Sequence, residues 1–353
     1  MTSTASRPTP PDPAHAARTA SARRRRVWTT CALFGTLLLV ALVVAPLIGS
    51  TRIDLRAVFD RSRPFADNLD AQIFFIARLP RVLAAAIVGS TLAVAGVVMQ
   101  ALLRNPLATP FTLGVSSGSA LGAMLALTFL PAWTDGAWTS VPVASLAGAM
   151  GAVLIVHALA QVRHRGFSTD VLLLAGVTLN AFFSALILLV QYLSDFTETI
   201  RTLRWLMGDL DVAGYRPLAV AVVLLVPAGL AFAWLPRSLD AIALGAEQAA
   251  SRGVPVARVQ RLAFFASSLA TGVAVSLAGP IGFVGIIVPH LVRLLVGSDH
   301  RVVVPASALF GGAFLVACDG VARILLAPVE LPVGVVTAVI GAPFFLWLLV
   351  RKP

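Results

Sequence analysis

Apolar residues fill this chain in long runs, and polar residues collect in short connectors between them. Ten runs approach the length of a bilayer crossing: about 27–48, 82–103, 111–130, 141–162, 170–193, 216–236, 258–279, 281–296, 302–318 and 334–350. A helix needs about 20 apolar residues to cross the hydrocarbon, so the shorter runs have soft edges. The spacing is compact, and nothing between the runs has the size of a soluble domain. The pattern predicts an all-α, polytopic membrane domain over residues 27–353 with about ten helices. One run stands out. Residues 279–301, GPIGFVGIIVPHLVRLLVGSDHR, carry Pro280, Gly282, Gly285, Pro289 and His290 within an otherwise apolar stretch. Such residues are tolerated in a bilayer only where neighbouring helices or a cavity satisfy the freed backbone groups. The segment is therefore expected inside the bundle, leading to a short hydrophilic turn at 297–300.

Composition sharpens this picture. The 353 residues are 58% hydrophobic and 12% charged, with a mean hydropathy of +0.90, whereas soluble domains carry about 25% charged residues. The net charge of +11 lies in connectors between apolar runs, which marks membrane orientation and argues against nucleic acid as a partner. Residues 1–26 are rich in Pro, Ala, Ser and Thr and end in Arg23 to Arg26, which reads as a disordered cytoplasmic tail. The run that follows is too long for the ~7–15-residue core of a secretory signal and reads as a retained first helix. With the N-terminus inside, 17 of the 27 Lys and Arg residues fall on the cytoplasmic side, and 11 of the 16 acids fall outside. Basic excess sets orientation while acids contribute little, so both termini are expected in the cytoplasm.

Small residues supply faces for close helix approach: Gly89, Ala93 and Gly96, then Gly118 and Gly122, then Ala147 and Gly151. Cys31 and Cys318 lie in apolar runs, and no Cys/His cluster has metal-ligand spacing, so neither a disulfide framework nor a metal site is expected. A Walker-A loop needs a lysine after its glycines, and the sole lysine is Lys352. The chain has no motor of its own and no catalytic residues are assigned. Acids cluster at the ends of the runs, leaving His157 and His290 as the only relay candidates, both better read as packing residues. ATP hydrolysis on a separate subunit fits better than ion coupling.

Three sets of residues remain as functional candidates. Arg78 and Arg81, in RLPR, and Arg323, four residues after Asp319, fall on the external side against the orientation rule. They either anchor helix ends, with Arg323 paired to Asp319 at i,i+4 spacing, or form a basic docking surface for an acidic partner. Residues 237–257 are the longest internal cytoplasmic connector, reading as one or two short helices broken by Gly245, Gly253 and Pro255. They serve as a connector or as the element that receives motion from an engine subunit. The polar text Ser168, Thr169 and Asp170 precedes the fifth run.

The order and spacing of several blocks resemble the FecCD-type permeases of class II ABC importers, which take up iron–siderophore complexes, haem and cobalamin. The resemblance covers 78–351, leaves 1–26 outside, and rests on 279–301 together with RLPR at 78–81, GSTLAVAGVVMQALLRNPLATPFTLGVSSG at 89–118, WLMGDL at 205–210, LGAEQAASRGV at 244–254 and ELPVGVVTAVIGAPFFLWLL at 330–349. It implies two permease subunits, identical or related, around a pathway in the bacterial plasma membrane. It further implies an extracytoplasmic substrate-binding protein and two cytoplasmic ATPases that carry ATP and Mg; no cofactor is bound by the permease itself. By the same resemblance Arg78, Arg81 and Arg323 meet acidic residues of the binding protein. Leu244, Gly245, Ala249 and Gly253 contact the ATPase, and Ser168, Thr169 and Asp170 form the cytoplasmic gate. Asp170 departs from the hydroxyl of the cobalamin permease. An iron(III)–siderophore chelate is the expected substrate, with haem or cobalamin as the alternative and an ion-coupled carrier as a different class.

Overall fold

The computed structural model describes residues 13–60, 62, 64–129, 140–163 and 169–351. Among them every regular element is helical. In chain order these are α1 (Pro13–Val44), α2 (Leu55–Val58), α3 (Leu69–Gln72), α4 (Leu79–Leu103), α5 (Val115–Phe129), α6 (Ser140–Arg163), α7 (Thr169–Leu193), α8 (Phe196–Leu206), α9 (Arg216–Trp234), α10 (Pro236–Ala243), α11 (Ala246–Ser251), α12 (Val256–Ala278), α13 (Val284–Val296), α14 (His300–Ile324) and α15 (Val333–Arg351). Seven of the helical segments are long and apolar enough to cross a membrane, and Val115–Phe129, Val284–Val296 and Val333–Trp347 are shorter apolar helices. Each of the ten coincides with one apolar run.

The boundaries differ from expectation for local reasons. Helix α1 begins at Pro13, so residues 13–26, expected to be disordered, continue the first helix; residues 1–12 lie outside the described ones. Segment 69–103 is one continuous helical rod, longer than the expected 82–103. Between α3 and α4 it widens to a π-helix over Ile73–Arg78, in which the Leu79 amide donates to the Phe74 carbonyl. The next residue is Pro80, which lacks a donor and crowds the carbonyl four residues back; a wider turn just before it relieves that clash. Helix α5 starts at 115 rather than 111, because Pro110–Leu113 forms a 3-10 turn under a Thr109/Thr112 capping box, closed by Gly114 in the left-handed region. Helix α13 starts at 284 rather than 281, since the backbone turns left-handed at Gly279 and Phe283.

Helices α4, α12 and α14 are mostly buried and form the centre, whereas α1, α7 and α9 keep most of their apolar surface open. Lipid tails are as apolar as the side chains, so helices associate through close packing and interhelical hydrogen bonds. At Gly96 of α4 the backbone touches Gly285 of α13, and a Cβ there would fall well inside the radius of the Gly285 carbonyl oxygen. Gly89 meets Gly311 of α14 in the same way. Gly118 and Gly122 of α5 pack against Ala144, Gly148 and Ala152 of α6. The expected α6 face was Ala147 and Gly151; Ala147 is exposed, and a Cβ on Gly151 would meet nothing within 4 Å. The small-residue stripe of α6 is thus rotated by about one position from the one read in the sequence. Polar side chains tie the same helices: Ser119 and Ser145 Oγ lie 2.6 Å apart, Ser90 Oγ donates to Ala308 O at 2.7 Å, and Gln100 Nε2 donates to Gly285 O at 3.0 Å. His157 packs edge-on against Phe265, with ring centroids 5.0 Å apart, in keeping with its reading as a packing residue.

Candidate functional site: an arginine cluster at one end and a helical connector at the other

Arg78, Arg81 and Arg323, far apart in sequence, meet at the end of the bundle where α1 finishes. Asp319 holds the centre, with its side chain fully buried. Its Oδ1 accepts from Arg81 Nε at 2.8 Å and its Oδ2 pairs with Arg323 Nε at 3.0 Å. The i,i+4 pair expected on α14 therefore forms. Arg81 Nη1 donates to Glu330, on the connector between α14 and α15.

The other two arginines spend their donors on backbone. Arg323 Nη1 donates to Ile48 O at 2.7 Å and Nη2 to Ala45 O at 3.0 Å. Arg78 Nη1 donates to Pro46 O at 3.1 Å, and its Nη2 to Thr51 O. The last carbonyls of a helix have no intrahelical partner. Here Ala45–Leu47 extends α1 as a 3-10 turn closed by the Ile48 amide on Ala45 O, and two guanidiniums supply further donors around it. Both side chains are buried, whereas Arg81 is 14% and Glu330 41% exposed. The three residues expected to act alike are brought together but differ in surroundings: Arg78 and Arg323 are buried on the carbonyls at the end of the first helix, and Arg81 keeps part of its side chain exposed.

The opposite end carries the connector. Residues 237–257 fold as α10 and α11, the two short helices expected. Leu244 is exposed and Ala249 fully buried. Gly245 has φ +130° and opens α11. At the other end the Val254 amide donates to Ala249 O and the Gly253 amide to Ala250 O, the paired bonds of a Schellman closure, with Gly253 at φ +80°. That position strains any residue with a Cβ.

Asp240 of α10 joins the connector to α14. Its Oδ1 accepts from the His300 amide at 3.0 Å and lies 2.6 Å from His300 Nδ1, while Arg301 Nε is 4.0 Å from Oδ2. Burial pushes the Asp240 carboxyl up, but the two His300 hydrogen bonds and the charges of His300 and Arg301 outweigh it and hold it below the usual range. A carboxyl lowered by folding contributes stability that is complete above its ordinary value, about 3.9, and is lost as pH falls through the folded value. Hydrogen exchange of α10 is accordingly expected to accelerate only below about pH 4. Asp240→Asn should show the faster exchange at neutral pH and lose that acid step; an unchanged profile would remove Asp240 as the tether.

Of the gate residues, Ser168 lies outside the described residues. Thr169 opens α7, its Oγ1 3.5 Å from Leu103 O at the end of α4, and Asp170 is exposed in the first turn of α7. They lie at the Leu103 end of α4, opposite the end that carries Arg81. Two polar groupings were not among the residues singled out from sequence. One is the Asp240–His300 tether; the other is Arg293 of α13, which donates to Gln100 Oε1 beside the Gly96–Gly285 contact. Glu330 was visible only as the first letter of ELPVG.

A fold of this kind defines a multi-pass, all-helical membrane protein. The model of the FecCD transport family matches residues 14–351. The match therefore begins well before residue 78 and takes in half of the tail expected to lie outside it. The hemin transport system permease protein HmuU of Yersinia pestis is 37% identical over 325 residues, covering 91% of this chain and 96% of that protein. The vitamin B12 import system permease protein BtuC of Klebsiella pneumoniae is 38% identical over 342 residues, covering 94% and 95%. A solved inward-facing ABC transporter of metal-chelate type matches with a TM-score of 0.77 at 32% identity, over 92% of this chain and all of that one. The chain belongs to the FecCD family and is an ABC importer permease.

Proposed function

We propose that this permease carries a bulky metal chelate inward, an iron(III)–siderophore complex first, in the plasma membrane of a bacterium. The observation that carries this reading is the end-to-end likeness to permeases named for hemin and vitamin B12 transport and to a metal-chelate transporter. What those substrates share is a large, rigid metal complex, and haem or cobalamin is the alternative. Ten spans, one for each apolar run, place both termini on the cytoplasmic side, where basic residues are in excess. On this reading α10 and α11 face two cytoplasmic ATPases, which hold ATP and Mg, and the Arg81 end faces an extracytoplasmic substrate-binding protein. A second permease subunit, identical or related, completes the pathway with residues 168–170 at its inner mouth. The open apolar surfaces of α1, α7 and α9 suit a bilayer and a second subunit. Asp319, the one buried acid among the described residues, is held by two arginines. A proton or ion relay needs an acid free to exchange its charge, so Asp319 lends no support to an ion-coupled mechanism.

The test is uptake of labelled ferric siderophores, hemin and cobalamin in a strain lacking the chain, with and without the gene restored. Loss and recovery of siderophore uptake alone supports the leading reading. The same result for hemin or cobalamin selects the alternative, and three unchanged uptakes overturn both. Coupling has its own probe. Gly253→Val is expected to keep normal membrane abundance, because nothing lies within 4 Å of the position a Cβ would take. The strained φ should unwind the end of α11, weaken ATPase association and cut uptake at least tenfold, while Gly253→Asn, which tolerates the left-handed region, keeps more. Full uptake with Gly253→Val would make the segment a plain connector.

A further inference from the structure

We propose that Glu330 is a built-in stand-in for the carboxylate of the docking partner, occupying Arg81 until that partner displaces it. The inference rests on the reading that the Arg81 end receives an acidic protein surface. The cluster offers much less positive charge than three arginines suggest, because Asp319 and Glu330 offset two of them. These two carboxylates are not equivalent. Asp319 is fully buried between Arg81 and Arg323 and cannot leave without stranding both guanidiniums. Glu330 is 41% exposed, sits on a non-helical connector, and reaches Arg81 through Nη1.

An exposed ion pair is worth about 0–1 kcal/mol, so Glu330 can exchange for an incoming carboxylate at little cost. The exchange never leaves Arg81 unpaired. Meanwhile Asp319 keeps hold of Nε, so the planar fork stays fixed and its rotamer entropy is not lost again on docking. Arg78 and Arg323, committed to the carbonyls of the first helix, take no part in the exchange. Glu330 thus lowers affinity and favours release, which a carrier that must let its delivery protein go in every cycle can use.

The experiment reads modification of Arg81 by phenylglyoxal in the full chain in nanodiscs, site by site by mass spectrometry. Hexaglutamate peptide is the carboxylate probe and hexaglutamine the neutral control. Buried Arg78 and Arg323 serve as internal references and should react slowly throughout. Removing the competitor with Glu330→Gln is expected to speed Arg81 modification about two- to fivefold, the scale of an exposed ion pair. It should also lower by a similar factor the hexaglutamate concentration that half-protects Arg81. Glu330→Asp, which keeps the charge but shortens the reach, should fall between Glu330→Gln and the unchanged protein, and a Tm measurement confirms that each variant is folded. Protection by hexaglutamate at the same concentration in all three proteins would overturn the stand-in while leaving docking intact. No protection in any of them would overturn the docking reading itself.

Discussion

Gly96→Val is expected to remove folded permease from the membrane. Gly96 lies on α4 where it crosses α13, with Gly285 carbon and Cα only 2.7 and 2.8 Å from the position of an added Cβ, and the Gly285 oxygen closer still. Backbone faces backbone, so no side chain can rotate away. The helices would have to separate by an ångström or more. One turn further along, Gln100 donates to the same Gly285 oxygen at 3.0 Å and receives Arg293. Separation would break that chain of bonds inside the bundle, where no water replaces them. Overpacking typically costs about 1–3 kcal/mol and more where the surroundings cannot shift. Even Gly96→Ala should reduce yield. Gly151→Ala is the matched control, since it adds a methyl to open space. Membrane abundance and a monodisperse elution profile in detergent are the readouts. Normal yield of Gly96→Val with an unshifted Tm would show that the α4–α13 contact is looser than described.

The apolar runs made the helices legible because hydropathy acts over a whole span and survives errors at its ends. What escaped were features decided by one or two dihedrals or by distant packing. Residues 111–114 read as the start of an apolar run, yet the capping box at Thr109 and the left-handed Gly114 make them part of a separate 3-10 element. Helix α8, Phe196–Leu206, sits in a stretch too polar to be a span; its Ile200, Leu203 and Leu206 recur at helical spacing, a signal that a search for long apolar runs passes over. On α6, Ala147/Gly151 and Ala144/Gly148 are equally good small-residue pairs on paper. Only the azimuth of the helix against α5 selects the second.

At the candidate site the same division holds. Gly253 was readable because helix formers followed by glycine mark a left-handed closure whatever lies around it. Asp319 and Arg323 were readable as a pair because i,i+4 neighbours touch on any helix. The link from Arg81 to Asp319 spans 238 residues, and those from Arg323 to Ala45 and Ile48 span more. No local rule reports such contacts. Docking and helix anchoring therefore stayed open for the arginines as a group, whereas burial distinguishes them: Arg78 and Arg323 are buried on carbonyls of the first helix, and Arg81 is partly exposed.

That arrangement makes Asp319 the most consequential charged residue at this end of the bundle. Asp319→Ala is expected to destabilise the permease by about 3–5 kcal/mol, the cost of stranding a buried charge. Both ion-pair partners are affected. Arg323, with only 3% of its side chain exposed, keeps its bonds to Ala45 and Ile48 but loses its counter-charge. Arg81 keeps Glu330, whose exposed pairing is worth far less. The two guanidiniums would then repel across the gap. Glu330→Ala should cost about 0–1 kcal/mol, so the two carboxylates differ sharply in one thermal-unfolding series. Asp319→Asn retains the shape and one acceptor and should fall between. Combining Asp319→Leu with Arg323→Met removes charge on both sides and is expected to recover part of the loss, since an apolar pair can replace a buried ion pair. Recovery cannot be complete, because the Ala45 and Ile48 carbonyls lose the Arg323 guanidinium, Ala45 keeping only the Ile48 amide, and the end of α1 should exchange faster over residues 45–51. Wild-type Tm and abundance for Asp319→Ala would mean the pair is solvated and adds nothing. A double variant as unstable as the single would mean that Arg323 matters mainly as the clamp on the first helix.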